Sequence, residues 1–174
     1  DHRRVRVLRH ESPRGFGAAL RSGFEAAKYP LVCQLDADCG CDPAEIEKLI
    51  GGIDAADIVC AFRDRKLRWQ QRGLGERLFY KFVRAVFAVR LDDVDCGFKL
   101  FRRAMLRQIP IQSEGRFANA EIAAKATFMN MLLAEVPVTS DAAASNAEPP
   151  AGTPTASEAL SHLVSESLQV FRHP

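Results

Sequence analysis

The chain has 174 residues, 47% of them apolar and 26% charged, which is enough for one ordinary domain with its own core. No uncharged apolar run is long enough to cross a bilayer, and the basic start DHRRVRVLRH lacks the apolar stretch of a secretory signal. The net charge of +2 is unevenly spread: basic residues crowd the first ten positions and again positions 63–90, while the chain after Met131 is Ala-rich and has few charges, most of them acidic.

Short apolar runs at 5–8, 31–35 and 57–61 predict strands. Between the first two, GFGAALRSGFEAAK carries Ala18, Ala19, Leu20, Phe24 and Ala27 at helical spacing, and Gly15 and Gly17 mark its start. Between the second and third, DPAEIEKLIGG predicts a helix with Asp42 as cap, Pro43 at its first position and Gly51-Gly52 as its stop. This alternation is the rhythm of a parallel sheet. A helix is expected over 73–88, a short strand over 98–101, a helix over 117–128, and a strand in LLAEVPV ended by Pro137. Residues 1–138 then form the folded domain, 139–156 a flexible Ala/Ser/Pro loop, and 157–174 a terminal amphipathic helix.

The five cysteines are Cys33, Cys39, Cys41, Cys60 and Cys96. An odd count without a secretory signal points to reduced thiols and a cytoplasmic setting. Cys39-Gly40-Cys41 is too tight for a zinc knuckle, and Cys33 and Cys60, inside apolar runs, read as small core residues. The basic band at 63–90 suits a diphosphate or a lipid phosphate and could meet the cytoplasmic face of an anionic membrane; the competing reading is a solvated helix face.

The run 31–35 leads directly into Asp36-Ala37-Asp38. Open parallel sheets bind ligands beyond the carboxyl ends of their strands. Two carboxylates that close need a cation or a raised pKa. Mg²⁺ or Mn²⁺ answers this, taking one or two carboxylates and filling its shell with waters and phosphate oxygens.

In order and spacing, GFGAALRSGFEAA, PLVCQLDADCGCDPAEIEKLI, ADIVCAFRDR, DDVDCGFKLFRRAML and AEVPV resemble the dolichyl- or polyprenyl-phosphate mannose synthase branch of the family-two inverting glycosyltransferases, over residues 5–138. The resemblance implies a GT-A, Rossmann-like α/β fold with a mostly parallel sheet flanked by helices. The chain begins, without Met, after the family's first βαβ portion, as an amino-terminally truncated domain would. Also implied are a GDP- or UDP-sugar donor, Mg²⁺ or Mn²⁺ as cofactor, and a polyprenyl- or dolichyl-phosphate acceptor at a membrane surface, with no nucleic acid as partner.

By position, Asp36 and Asp38 match the metal-and-diphosphate motif, with Ala37 supplying backbone. Arg63 and Arg72 match arginines that face the donor phosphates, Asp93 and Lys99 fall in the segment that shapes the acceptor side, and Glu121 matches an acidic position on a later helix. For Asp93 and Lys99 a salt-bridged turn is the alternative; for Glu121 it is a place in the first turn of its helix. A lipid phosphate is already anionic and needs no strong base, whereas a sugar hydroxyl would call on Glu121 or Asp93. Where the family follows its motif with Gly-Gln this chain has Cys39-Gly40, and where it carries a late Pro-Arg this chain has Pro149-Pro150. The alternative function is a truncated or decayed, non-catalytic binding module.

Overall fold

A computed structural model describes residues 5–37, 39–63, 81, 84, 85 and 87–139. Asp38, Arg72, most of the expected helix at 73–88, the expected loop beyond Thr139 and the terminal helix lie outside the described residues.

The described chain runs α1 (Phe16–Ala26), β1 (Leu31–Leu35), α2 (Ile46–Gly52), β2 (Ile58–Phe62), β3 (Phe98–Arg102), a single-turn α3 (Arg103–Leu106), α4 (Ala118–Phe128) and β4 (Leu133–Pro137). The strands form one sheet in the order β1-β3-β2-β4. β3 is antiparallel to both β1 and β2, and β4 is parallel to β2. Three strands therefore point one way and only β3 opposes them; because β3 lies between β1 and β2, two of the three pairings are antiparallel and the described sheet is mixed rather than a run of adjacent parallel strands.

Alternation along the strands divides the core in two. On one face Val32, Ile58, Cys60, Phe101 and Leu133 pack against α1 and α4, with Phe24 and Phe101 edge to face at 5.3 Å. On the other, Val59, Ala61, Phe98 and Leu100 pack against Leu49 and Ile53. α4 is buried on nearly every side because its ANAEIAAKATF is small enough for close approach all round.

Several expectations are corrected. Residues 5–8 form no strand: Val5, Val7 and Leu8 are exposed, and no described strand pairs with them. A lone extended segment gains nothing from alternation without a ladder partner. Gly51-Gly52 ends its α-helix as expected, since α2 stops at Gly52. A 3₁₀ turn (Pro43–Glu45), capped by Asp42, leads into α2, and a second one (Ile53–Ala55) follows Gly52. That second turn is held by Arg102, whose guanidinium donates to the carbonyls of Ile53 at 2.7 Å and Ala56 at 3.2 Å. Cys60 is a core residue as expected, but Cys33 is exposed, because β1 is the outer strand of the described sheet and its side chain points to the α2 face, where α2 covers β2, β3 and β4.

Gly15 and Gly17 do more than start a helix. Gly15 has φ +89°, and the Gly17 amide donates to the carbonyl of Glu114 at 2.7 Å. A Cβ on Gly17 would stand 2.0 Å from the carbonyl oxygen of Ser113, so α1 touches this turn backbone to backbone. Gly17→Ala is expected to lower unfolding free energy by about 1–3 kcal/mol through overpacking. Gly23→Ala in the same helix, with nothing within 4 Å of the new methyl, should raise it by about 0.5–1 kcal/mol. Urea denaturation of both variants checks the opposite signs.

Candidate active site

The ladders align Gln34 with Lys99, Lys99 with Cys60, and Cys60 with Glu135. These four side chains make a polar row across the α4 face of the sheet, midway along β2 and β4 and one residue short of the carboxyl end of β1. Burial pushes the Cys60 thiol up to about 12, with Glu135 and Cys96 adding to the rise and Lys99 opposing it. The charges of the row are thus Lys99 and Glu135.

Lys99 is 1% exposed, and a buried ammonium must find acceptors. Its Nζ donates to the Cys96 carbonyl and, at 3.2 Å, to Asn119 Oδ1 on α4. Gln34 Nε2 donates to that same Oδ1 at 3.2 Å and to Asp36 Oδ1 at 3.2 Å. Asp36 and Lys99 are therefore joined through one buried amide network.

Asp36 stands where β1 ends. Its amide donates to the Gly97 carbonyl at 2.9 Å, carrying the β1–β3 ladder one residue past the strands. Its carboxylate lies over Gly97: a Cβ there would be 2.1 Å from Asp36 Oδ2 and 2.5 Å from Asp36 Cβ. Only glycine admits the carboxylate in this position.

Arg63, just after β2, donates from Nε to Asp93 Oδ2 at 3.0 Å, and Asp93 is 1% exposed. The turn holding Asp93 is fixed from beneath, since Glu135 Oε1 accepts from the amides of Asp92 at 2.7 Å and Asp93 at 3.2 Å. Glu121 belongs to another part of the molecule. Its oxygens accept from the amides of Gln112 and Ser113, both at 2.8 Å, and Lys125 Nζ pairs with it at 2.6 Å. It clamps the turn that α1 holds from the other side, where Arg21 reaches the carbonyls of Ile111 and Ser113.

The structure thus brings Asp36 and Lys99 into one network and Arg63 and Asp93 into one ion pair, and sets Glu121 apart. Among the described residues no group of three or more His, Cys, Asp or Glu side chains is arranged to hold a metal ion. The oxygens at the Asp36 corner are nevertheless of the hard type that Mg²⁺ and Mn²⁺ take: the carboxylate itself and the buried Gln34 Oε1, which has no partner among the described residues.

Residues 1–110 match Glycosyl transferase family 2. The chain belongs to this family. Relatives include a polyprenol monophosphomannose synthase from Mycolicibacterium smegmatis, 28% identical over 123 residues, covering 65% of this chain and 46% of that protein. A dolichyl-phosphate beta-glucosyltransferase from Dictyostelium discoideum is 31% identical over 145 residues, covering 75% of this chain and 44% of the relative. The chain thus spans less than half the length of these curated relatives. Among solved structures, glucosyl-3-phosphoglycerate synthase from Mycobacterium tuberculosis, in complex with Mn²⁺, UDP-glucose and phosphoglyceric acid, superposes with a TM-score of 0.63 at 16% identity, covering 93% of this chain and 56% of the other. The fold is accordingly GT-A, and the branch resemblance to the polyprenyl-phosphate sugar transferases holds.

Within this family-2 domain the sequence points to the charged residues but not to what joins them. Gln34, Asn119 and Glu135 are inconspicuous because each sits alone in an apolar or Ala-rich run. The usable signal is register: Gln34 lies two residues before Asp36, hence on one face of the same strand. Arg102 and Arg103 are legible only as part of the family motif, yet both cap carbonyls, Arg103 Nη1 donating to Ala27 at 3.2 Å.

Glu121→Gln would replace one acceptor oxygen by an amide group facing a donor. The expected cost is about 1–3 kcal/mol of stability, measured as a lower urea midpoint with native far-UV circular dichroism retained.

Proposed function

We propose that this domain takes part in sugar transfer from a GDP- or UDP-linked donor to a polyprenyl- or dolichyl-phosphate acceptor, with inversion. The observation that carries the reading is the Asp36 carboxylate, seated on Gly97 at the carboxyl end of β1 and tied to Lys99 by buried amides. The names of the family-2 relatives, a polyprenol and a dolichyl-phosphate sugar transferase, support the acceptor class. The Mn²⁺ and UDP-glucose in complex with the M. tuberculosis synthase support the donor and the metal.

In this reading Asp36 and Asp38 hold Mg²⁺ or Mn²⁺ with the donor diphosphate. The metal, when bound, offsets the charge that develops on the leaving nucleoside diphosphate. An acceptor phosphate oxygen forms the new bond to the anomeric carbon as the bond from that carbon to the diphosphate oxygen breaks on the opposite face. The nucleophile is already anionic, so the protein's task is to position two phosphates that repel each other. Arg63, with Arg72, supplies cationic charge for this, and Asp93 fixes the direction of the Arg63 side chain. Lys99 keeps Asp36 in place from below through Asn119 and Gln34. Glu121 acts by holding the 112–113 backbone. The domain would work at the cytoplasmic face of a membrane without crossing it in the described part, where no helix is long and apolar enough to span a bilayer.

Calorimetric titration of GDP-mannose and UDP-glucose into the folded chain with Mn²⁺ should give saturable, metal-dependent heat for one donor. Asp36→Asn should weaken it about tenfold or more, or ~1.4 kcal/mol. Gly97→Ala should act in the same direction, because its methyl displaces the carboxylate. A folded chain that binds neither donor would overturn the reading in favour of a non-catalytic module.

A further inference from the structure

One buried hydrophobic cluster contains Cys39, Cys41 and Cys96 together, packed with Leu49, Val59 and Phe98. The backbone explains the meeting. The Asp36-to-Gly97 hydrogen bond continues the β1–β3 ladder, so the loop leaving β1 and the turn entering β3 lie side by side. Within the loop, the Cys41 amide donates to Cys39 Sγ at 3.3 Å and Cys41 Sγ lies 3.6 Å from the Cys39 carbonyl. Across to the turn, Cys96 meets Cys41 within this cluster, close enough for the two sulfurs to act on each other electrostatically. All five cysteines are free thiols.

We propose that Cys41 and Cys96 form a peroxide-oxidisable dithiol pair, a modification site whose disulfide ties the loop after β1 to the turn before β3. The site is independent of the sugar-transfer reading and lies beside its central residue, since Gly97, the seat of Asp36, follows Cys96 directly.

The chemistry divides between the two sulfurs. The neighbouring Cys41 thiol lowers the pKa of Cys96 most; Lys99 and Arg63 lower it further, while burial opposes them. A thiolate held near cations in this way is the better nucleophile. Cys96 attacks one oxygen of hydrogen peroxide, forming an S–O bond and breaking the O–O bond. The departing hydroxide takes a proton and leaves as water, and Cys96 is a sulfenic acid. Cys41 sulfur then attacks the Cys96 sulfur, the S–S bond forms, and hydroxide leaves with the Cys41 proton as a second water. Two thiols are oxidised and one peroxide is reduced. Cys96 is fully buried and Cys41 only 9% exposed, so the oxidant must be small. Peroxide fits, and a bulky disulfide such as oxidised glutathione does not.

The test is peroxide treatment of the folded chain, alkylation of the remaining thiols under denaturing conditions, and peptide mapping. The expected product is a Cys41–Cys96 cross-link, formed also in Cys39→Ser and not formed with oxidised glutathione. Its formation should raise the urea midpoint of the wild-type chain, and a reductant should reverse the rise. The proposal is overturned if Cys96 stays reduced while exposed Cys33 oxidises. It is equally overturned if Cys96 pairs with Cys39, or if the cross-linked chain unfolds at the same urea concentration as the reduced one. The wild-type mapping and unfolding stand even where a cysteine variant fails to fold.

Discussion

A lysine ammonium buried within a four-stranded sheet sets the terms for the surrounding structure. Lys99 lies on the central antiparallel strand, fully enclosed, and removing it from water would cost several kcal/mol without acceptors. The Cys96 carbonyl and Asn119 Oδ1 are those acceptors. Each then becomes a fixed point: Cys96 sets the turn that delivers Gly97, and Asn119 fixes the face of α4 that meets the sheet. Gln34 joins at the same oxygen and passes the constraint to Asp36. The carboxylate at the mouth of the site is thus oriented by a charge in the core. Removing one member of such a network leaves its neighbours a hydrogen bond short, so the members hold one another in place.

The flanking structure follows the same economy of backbone satisfaction. Glu135 serves the amides of the turn that carries Asp93, and Glu121 serves the amides of the turn against α1. Arg102 and Arg103 serve carbonyls left open at helix ends. Four charged residues that could be mistaken for ligand-binding groups thereby hold loops in place, and loops held this way can present functional side chains with little wander.

Much of this is legible in the residues. The strand LVCQL can be read to its bounds, because a short apolar run between a turn and an acidic loop has few other uses. The run 58–62 and the strand from Phe98 are legible to within a residue, and the small-residue helix after Phe117 likewise. The failures share one cause: local pattern cannot see tertiary partners. Residues 5–8 have the composition of a strand without a described neighbour to pair with. Gly51-Gly52 does end α2, but the 3₁₀ turn after it is tied to Arg102, some fifty positions away, and has no local signal. At the site, motifs single out Asp36, Arg63, Asp93 and Lys99, while Gln34 and Asn119, which make Asp36 and Lys99 one unit, carry no motif at all.

The end of β4 has a consequence for how the domain is used. Thr139 donates from its amide to Glu45 Oε2 at 2.8 Å, and Lys48 bonds both Glu45 and the Pro137 carbonyl. β4 is parallel to β2 and exits the sheet on the edge where β2 delivers Arg63 and β1 delivers Asp36. The described chain therefore leaves the sheet at the end where its parallel strands finish, fixed there by α2. For a tethered segment, encounter is governed by effective concentration, which depends on tether length and stiffness more than on intrinsic affinity. A fixed exit of this kind would let the length of any attached segment set such a concentration without altering a residue of the sheet.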